Sequence, residues 1–178
     1  MQVPDGTRQH VPLRMITYLT HPQPSCSAQS VGVLIVRNDH LLLGERAKEP
    51  SGWAPPAGHV DLSDRTPAAA AQREVREEVN LTIDLPAHPL LQRAYENTCR
   101  RGTPRHAWTV YQVHAEGEPH PKADELKQLR WVDHQELVLM CNRTRRYLRK
   151  EISDTDWRAD PGLEPVWVEI LGELSYIP

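Results

Sequence analysis

The sequence predicts an α/β (α+β) fold, because short apolar runs alternate with segments that carry helix signals. Residues 31–36 form a compact apolar run with β-branched side chains, which is typical of a buried strand. Residues 67–79 combine a helix start signal with an apolar stripe. The chain of 178 residues is long enough for one domain with a substantial core. We expect an N-terminal arm over residues 1–30 and the domain over residues 31–178.

The first part of the chain predicts an arm followed by a hairpin. Residues 13–19 of the arm suit a short helix or a short strand. We expect the arm to pack on the domain or on a second subunit, so a homodimer is one expected state. After the strand over residues 31–36, residues 37–40 are turn-like. Residues 41–43 continue as a second strand, which completes a hairpin.

The central helix is expected to begin at Pro67 and to end before Asn80. Thr66 suits the N-cap, because its hydroxyl can accept from an unpaired backbone N–H. Pro67 suits the first helical position, where its missing N–H costs nothing. Asn80 tolerates the left-handed conformation that follows a helix end. Four apolar residues form the stripe that should face the core: Ala68, Ala71, Val75 and Val79.

Further strands are expected downstream of this helix, over residues 81–85, 91–98, 106–115 and 129–132. Asp133 and Glu136 make a capping box for a helix that runs to residue 140. Residues 156–162 are expected to be loop. Residues 165–174 are expected to form the last helix.

Three glutamates on the central helix are candidate metal ligands. Glu74, Glu77 and Glu78 lie beside the apolar stripe, on an arc of about 100° at 3.6 residues per turn. Like charges at these spacings repel by about 0.2–0.5 kcal/mol per pair on an exposed helix. A hard divalent cation would remove the repulsion, since carboxylates are ligands that Mg²⁺ prefers. Arg73 can pair with Glu77 and so neutralises part of the negative charge of the glutamates.

A rigid loop over residues 53–59, Trp-Ala-Pro-Pro-Ala-Gly-His, precedes the helix. Its Gly58 would let the backbone approach a ligand closely. Residues 73–81 read Arg-Glu-Val-Arg-Glu-Glu-Val-Asn-Leu. Together these segments resemble the Nudix box, the signature of the Nudix hydrolase family. That pattern is Gly, five residues, Glu, seven residues and then Arg-Glu-apolar-x-Glu-Glu-x-Gly-apolar.

The match departs from the pattern at two places. Asn80 replaces the usual Gly. Asp64 has the expected spacing from Gly58 but is one residue too far from Arg73, so the loop carries a one-residue insertion. Arg65 has the right spacing to Arg73 and the wrong charge. Because Asp64 and Arg73 would form a charge-assisted pair, we predict that the loop bulges at residues 62–63, with Asp64 toward Arg73 and Arg65 toward solvent.

The resemblance implies a Nudix-type α/β/α sandwich with a mixed β-sheet. It also implies metal-dependent hydrolysis of a phosphoanhydride in a nucleoside diphosphate linked to another group, with Mg²⁺ or Mn²⁺ as cofactor. Arg73 would orient the glutamates, and Asp64 would orient Arg73. Glu74 or Glu125 would take the proton from water, with Asp124 as the alternative to Glu125. The implied metal ligands are Glu74, Glu77, Glu78 and the backbone carbonyl of Ala57.

Three basic residues are candidate substrate contacts: Arg46, Arg101 and Arg105. The resemblance places Arg46 near a substrate phosphate, although a solvated strand end is an equal explanation. Arg101 and Arg105 lie with Arg100 in one loop. Guanidinium groups bind phosphate bidentately, although most basic loop tips are only solvated. Nucleotide sugars, dinucleoside polyphosphates, ADP-ribose, modified nucleoside triphosphates and CoA all remain open as substrates.

The alternative function is a non-catalytic Nudix-fold module that binds a nucleotide or metabolite. Loss of the glutamates that close the box would favour it, and all three are present. A hydrolase of RNA ends would depend on the arginines near residue 145 and has little other support.

Composition argues against several further classes. A formal net charge of −3 with 25% charged residues argues against a nucleic-acid scaffold, and the basic stretch over residues 143–150 is best explained as a solvated face. Three cysteines without C-x-x-C spacing suggest neither a zinc site nor a disulfide framework. The nine histidines show no metal-motif spacing. No apolar run approaches the roughly 18 residues of a membrane span, and no signal core is visible. We therefore expect a cytoplasmic protein with no membrane or nucleic-acid partner.

Overall fold

The computed structural model describes residues 26–178, so the expectations for residues 1–25, including the segment 13–19, lie outside the described residues. Seven strands are present: β1 (Gln29–Arg37), β2 (His40–Arg46), β3 (Trp53–Ala54), β4 (Ala57–His59), β5 (Leu91–Glu96), β6 (Arg105–His114) and β7 (Leu126–Val132). Four helices accompany them: α1 (Pro67–Val79), α2 (His134–Leu148), α3 (Asp154–Ala159) and α4 (Pro165–Glu173).

The strands form one mixed sheet, as predicted. Its order is β3-β2-β1-β6-β5, with β4 paired to β1 and β7 paired to β2. β1 and β6 run parallel, from the Gln29–Ala107 pair to the Val36–His114 pair. The other pairs of strands are antiparallel. The β1–β2 hairpin turns at Asn38 and Asp39, which both adopt positive φ, as a two-residue hairpin turn requires.

Helices cover both faces of the sheet, which confirms the α/β/α sandwich. Successive side chains of a strand point to opposite faces. Val33 therefore packs in a core cluster with α1, whereas Leu34 packs in a second cluster with α2 and α4. Gly32 lies under the Trp167 indole of α4, where an added Cβ would come within 2.4 Å of the ring. This glycine allows α4 to sit directly on β1.

The caps of α1 follow the sequence prediction. The Thr66 hydroxyl accepts from the Ala69 amide at 3.1 Å, and Pro67 occupies the first turn. Asn80 adopts the left-handed conformation with φ 56°, and its N–H donates to the Arg76 carbonyl. Both ends of the helix are therefore set by local chemistry.

Several predicted elements are wrong. Residues 81–85 form no strand, although Leu81 and Ile83 are buried, because their alternation reflects packing on the α1 side and not a strand partner. Residues 156–162 are not all loop. α3 occupies the first part, capped by Ser153 and held by Trp157, which is buried and stacks on Tyr147 at 4.3 Å.

Two other segments are more regular than expected. The rigid loop over residues 53–59 contains the short strands β3 and β4. Residues 143–148 of the basic stretch belong to α2, so the helix that was predicted to run to residue 140 continues to Leu148.

Candidate active site

A tight turn places the first acidic residue of the box. The Asp64 amide donates to the Asp61 carbonyl at 2.9 Å, and the Asp61 amide donates to the Asp64 carboxylate at 2.8 Å. Leu62, at the tip of this turn, is fully exposed. The extra residue of the loop is therefore absorbed at residues 62–63, where the bulge was predicted.

Arg73 joins this turn to the helix. Its Nε and Nη2 atoms donate to the two Asp64 carboxylate oxygens at 3.0 and 2.8 Å. Nη1 donates to Glu74 at 2.8 Å and to Glu77 at 3.3 Å. The Asp64 side chain is 6% exposed, and Arg65 is exposed. The predicted contact is thus present, and Arg73 holds the pKa of Asp64 below its ordinary value.

Arg73 also fixes the backbone of β4. Its Nη2 atom donates to the His59 carbonyl at 2.9 Å. One guanidinium therefore binds the glutamates, the turn at residues 61–64 and the end of β4. The pKa of Arg73 is raised chiefly by its hydrogen bonds to Asp64.

Glu74 and Glu78 are buried side by side on α1. Their exposed fractions are 8% and 7%. Burial raises the pKa of Glu74 to about 7, against the opposing effect of Arg73. Burial and the neighbouring Glu74 raise the pKa of Glu78 to about 8. A bound cation would stabilise the ionised form of these two neighbouring carboxyls, which burial otherwise disfavours.

The backbone of β4 positions both glutamates of this pair. The Ala57 amide donates to Glu78 Oε2 at 3.0 Å, so Ala57 positions this carboxylate. A Cβ at Gly58 would lie 2.1 Å from Glu74 Oε1. Gly58 is thus needed for the close approach of β4 to Glu74. Glu77 is exposed and lies beside the pair, and its role as a ligand stays a prediction.

The buried pair opens into a pocket of about 730 Å³, which is in the range of ordinary small-molecule sites. Glu74, Glu78 and Glu125 supply acidic groups to it. Its cationic side chains are Arg46, Lys48, Arg100 and Arg101. Glu49, Asp61 and Glu164 line it as well, so the pocket combines acidic and basic side chains.

Arg46 faces Glu164 across this pocket. The Nη1–Oε2 distance is 3.7 Å, and Glu164 is 5% exposed. The buried Nε of Arg46 has no hydrogen-bond partner among residues 26–178. Arg46 thus lines the pocket with a guanidinium that has one donor without a partner among the described residues. Sequence reasoning missed Glu164, since only the pairing of Trp53 with Leu163 brings that segment to the pocket.

Glu125 lines the pocket, whereas Asp124 is exposed and does not. Lys122 Nζ donates to Glu125 Oε1 at 2.7 Å. Of the two acidic residues considered before β7, Glu125 is the one with access to the buried pair.

Arg101 and Arg105, the two predicted substrate contacts of the β5–β6 region, lie in different surroundings. Arg101 lines the pocket and lies 3.9 Å from an Asp61 carboxylate oxygen. Arg105 is largely exposed and faces Glu96 across the β5–β6 pair at 3.8 Å. It alternates with His106, which points inward, so strand phase turns Arg105 away from the pocket. Arg105 does not line the pocket, and its role as a substrate contact stays a prediction, whereas Arg100 lines the pocket together with Arg101.

A cluster of two cysteine and two histidine side chains lies at the pocket, which is lined by three of them: His59, Cys99 and His106. One ligand atom from each of Cys26, His59, Cys99 and His106 lies within 4.8 Å of the others. Burial and His106 lower the pKa of His59 to about 4. The spacing of these residues along the chain did not predict this cluster, because the strand pairings bring together residues that are far apart in sequence.

Comparisons with known proteins agree with this architecture. A family model described as the NUDIX domain matches residues 27–152. A "MutT-like protein" from Streptomyces ambofaciens is 33% identical over 90 residues, which make up 48% of this chain and 56% of that protein. The chain thus spans little more than half the length of this curated relative.

Two solved structures are similar in fold. A MutT NUDIX hydrolase from Burkholderia pseudomallei matches 60% of this chain and 83% of its own, with 26% identity and a TM-score of 0.52. A NUDIX-family hydrolase from Clostridium perfringens matches 62% of this chain and 83% of its own, with 24% identity and a TM-score of 0.53. The chain belongs to the NUDIX domain family. Within the described residues, no helix is long and apolar enough to span a membrane.

Proposed function

We propose that this protein is a Nudix pyrophosphohydrolase that cleaves a phosphoanhydride in a nucleoside diphosphate linked to another group. One observation carries the proposal: the buried carboxyls of Glu74 and Glu78 open into a pocket that is also lined by four cationic side chains. A diphosphate neutralised by metal on one side and by guanidinium groups on the other suits this distribution of charge.

The residues fit a divalent cation. Glu74 and Glu78 place carboxylate oxygens in a site whose burial opposes their ionisation. Gly58 leaves the space that their approach to β4 needs. Oxygen donors of this kind suit Mg²⁺ and Mn²⁺. Glu74 and Glu78 would hold the ion, with Glu77 and the Ala57 carbonyl as further ligands, and the ion would supply charge neutralisation on phosphate oxygens.

Residues of the chain would orient the metal ligands, bind the substrate phosphate and take up the proton of the attacking water. Arg73, held by Asp64, keeps the Glu74 carboxylate in place. Arg46 and Arg101 bind substrate phosphate as hydrogen-bond donors. Glu74 or Glu125 accepts the proton from the attacking water. Glu125 suits this role because it lines the pocket and, among residues 26–178, is paired only with Lys122, whose flexible side chain can turn away.

The alternative function, a non-catalytic binding module, needs only the pocket. The presence of all three glutamates that close the box, Glu74, Glu77 and Glu78, favours hydrolysis. A cytoplasmic location fits the three free thiols at Cys26, Cys99 and Cys141. The proposal includes a homodimer as the assembled state.

A substrate panel tests the proposal. It would contain nucleotide sugars, dinucleoside polyphosphates, ADP-ribose, modified nucleoside triphosphates and CoA, each with Mg²⁺ and with Mn²⁺. Release of mononucleotide or phosphate is measured for the wild type and for Glu78→Gln. Hydrolysis that requires metal and is lost in Glu78→Gln supports the proposal. Tight binding without hydrolysis of any compound would establish the binding module instead.

A further inference from the structure

Four potential metal ligands come from four separate segments of the chain. Cys26 lies just before β1, His59 ends β4, Cys99 lies in the loop between β5 and β6, and His106 is the second residue of β6. The pairings of β1 with β4 and with β6 bring these segments together. The convergence is therefore a product of the sheet's topology.

Two of the distances between potential ligand atoms match tetrahedral coordination of zinc. The Cys26 and Cys99 Sγ atoms are 3.8 Å apart, and the His59 and His106 Nε2 atoms are 3.3 Å apart. Zinc bond lengths of about 2.3 Å to sulfur and about 2.05 Å to nitrogen place tetrahedral ligands about 3.8 Å apart for two sulfurs and about 3.3 Å apart for two nitrogens. The Cys26 Sγ to His106 Nε2 distance, 3.1 Å, is shorter than the corresponding sulfur–nitrogen separation of about 3.6 Å. A small shift of the exposed Cys26 segment would correct it.

Hydrogen bonding prepares His106 as a ligand. Its Nδ1 atom lies 2.8 Å from the Asn97 carbonyl, which can only accept. Nδ1 therefore carries the hydrogen, and Nε2 presents its lone pair to the cluster. The side chain is 1% exposed, so water does not compete for this lone pair. Histidine ligands of metals are commonly held by such a bond to a backbone carbonyl.

Hydrogen bonds alone leave this cluster incompletely satisfied. The Cys26 thiol and His59 Nε2 both face the single lone pair of His106 Nε2. One ion at the centre would replace this competition with four bonds. Two thiolates would balance the charge of a divalent cation, and their two protons would pass to solvent on binding.

We infer that Cys26, His59, Cys99 and His106 form a structural Zn²⁺ site, separate from the carboxylate site on α1. Two sulfur and two nitrogen ligands in tetrahedral array suit zinc, and four protein ligands leave no open position for catalysis. The ion ties the segment at Cys26 and the β5–β6 loop to the end of β4.

This site has a consequence for the pocket. Arg101 is two residues beyond Cys99 and lines the pocket, and the His59 carbonyl accepts from Arg73. Zinc would therefore hold the β5–β6 loop, which carries Arg101, against the end of β4 at His59. This consequence rests on the proposed function, whereas the zinc site itself does not.

Metal content tests the site without any assay of activity. The full-length protein, produced with zinc in the medium, is dialysed against a weak chelator and measured by elemental analysis. We expect about one zinc per chain in the wild type and at least about a tenfold loss of zinc affinity in Cys26→Ser and Cys99→Ser. Cys141→Ala, which removes the cysteine outside the cluster, and His88→Gln, an exposed histidine, should retain zinc.

Two further measurements keep the result decisive. Replacement of zinc by Co²⁺ should give the thiolate charge-transfer absorption of tetrahedral cobalt in the wild type, and this band should be lost in Cys99→Ser. Circular dichroism checks that Cys99→Ser folds, since its substitution lies in a surface loop. A wild type without zinc, a zinc content of the two cysteine variants equal to that of the wild type, or a metal-free Cys26–Cys99 disulfide in the intact mass would each overturn the inference. Zinc retained in a protein with no hydrolase activity would leave the site standing and contradict only the proposed function.

Discussion

The contact between Asp64 and Arg73 gives the sharpest prediction from the box. Asp64→Ala removes three hydrogen bonds to a carboxylate whose side chain is 6% exposed, two from Arg73 and one from the Asp61 amide. Hydrogen bonds to charged groups contribute about 1.5–3 kcal/mol, but Arg73 keeps Glu74 and Glu77 as partners. We expect unfolding free energy to fall by about 1–2 kcal/mol and kcat/KM to fall about tenfold, or about 1.4 kcal/mol.

The pH dependence of this stability loss has a defined sign. Because the pKa of Asp64 is lowered in the folded protein, its contribution is present above the ordinary value of 3.8 and is lost as pH falls through the folded value. The wild type and Asp64→Ala should therefore differ at pH 7 in urea denaturation and converge in acid. Arg65→Ala, one residue away and exposed, is the matched control and should be close to neutral. Equal stability and activity of Asp64→Ala and wild type at pH 7 would refute the reasoning.

The remaining predictions concern the carboxylates and the space around them. Glu78→Gln should lower kcat at least about 100-fold, or about 2.7 kcal/mol, while circular dichroism shows an intact fold; near-normal turnover at saturating Mg²⁺ would remove its metal role. Metal-free protein should lose stability as pH rises from 4.5 through 8, because the raised pKa values of Glu74 and Glu78 mean that the folded state binds more protons; a flat urea-denaturation profile would contradict this. If Glu125 is the base, Glu125→Gln should remove the acidic limb of the pH–rate profile, and if Glu74 is the base, only Glu74→Gln should do so. Gly58→Ala should cut kcat at least about tenfold, because its Cβ would lie 2.1 Å from Glu74 Oε1, and unchanged kinetics would show that Glu74 needs no such space.

Local signals predicted much of the fold. Thr66, Pro67 and Asn80 determine the ends of α1 through contacts within one turn, so the sequence was sufficient to place them. Charge alone was sufficient to choose Asp64 over Arg65 as the partner of Arg73. The strand predicted over residues 81–85 was wrong because alternating burial does not require a strand partner.

The site was harder to predict where it depends on long-range register. Arg105 points away from the pocket because of the phase of β6, which its own loop does not reveal. Glu164 reaches Arg46 through the pairing of Trp53 with Leu163. Cys26 and His106 meet because β1 and β6 run parallel in one register. Each of these contacts joins residues that are far apart in sequence.

The central claim is that Glu74 and Glu78 hold the divalent ion used in phosphoanhydride hydrolysis. The most direct test measures Mn²⁺ binding by electron paramagnetic resonance and turnover on the same samples, for the wild type and Glu78→Gln. Turnover of the wild type should follow occupancy of the Mn²⁺ site, and Glu78→Gln should bind Mn²⁺ at least about tenfold more weakly. Turnover that persists after Mn²⁺ and Mg²⁺ are removed, or equal Mn²⁺ binding in both proteins, would contradict the account.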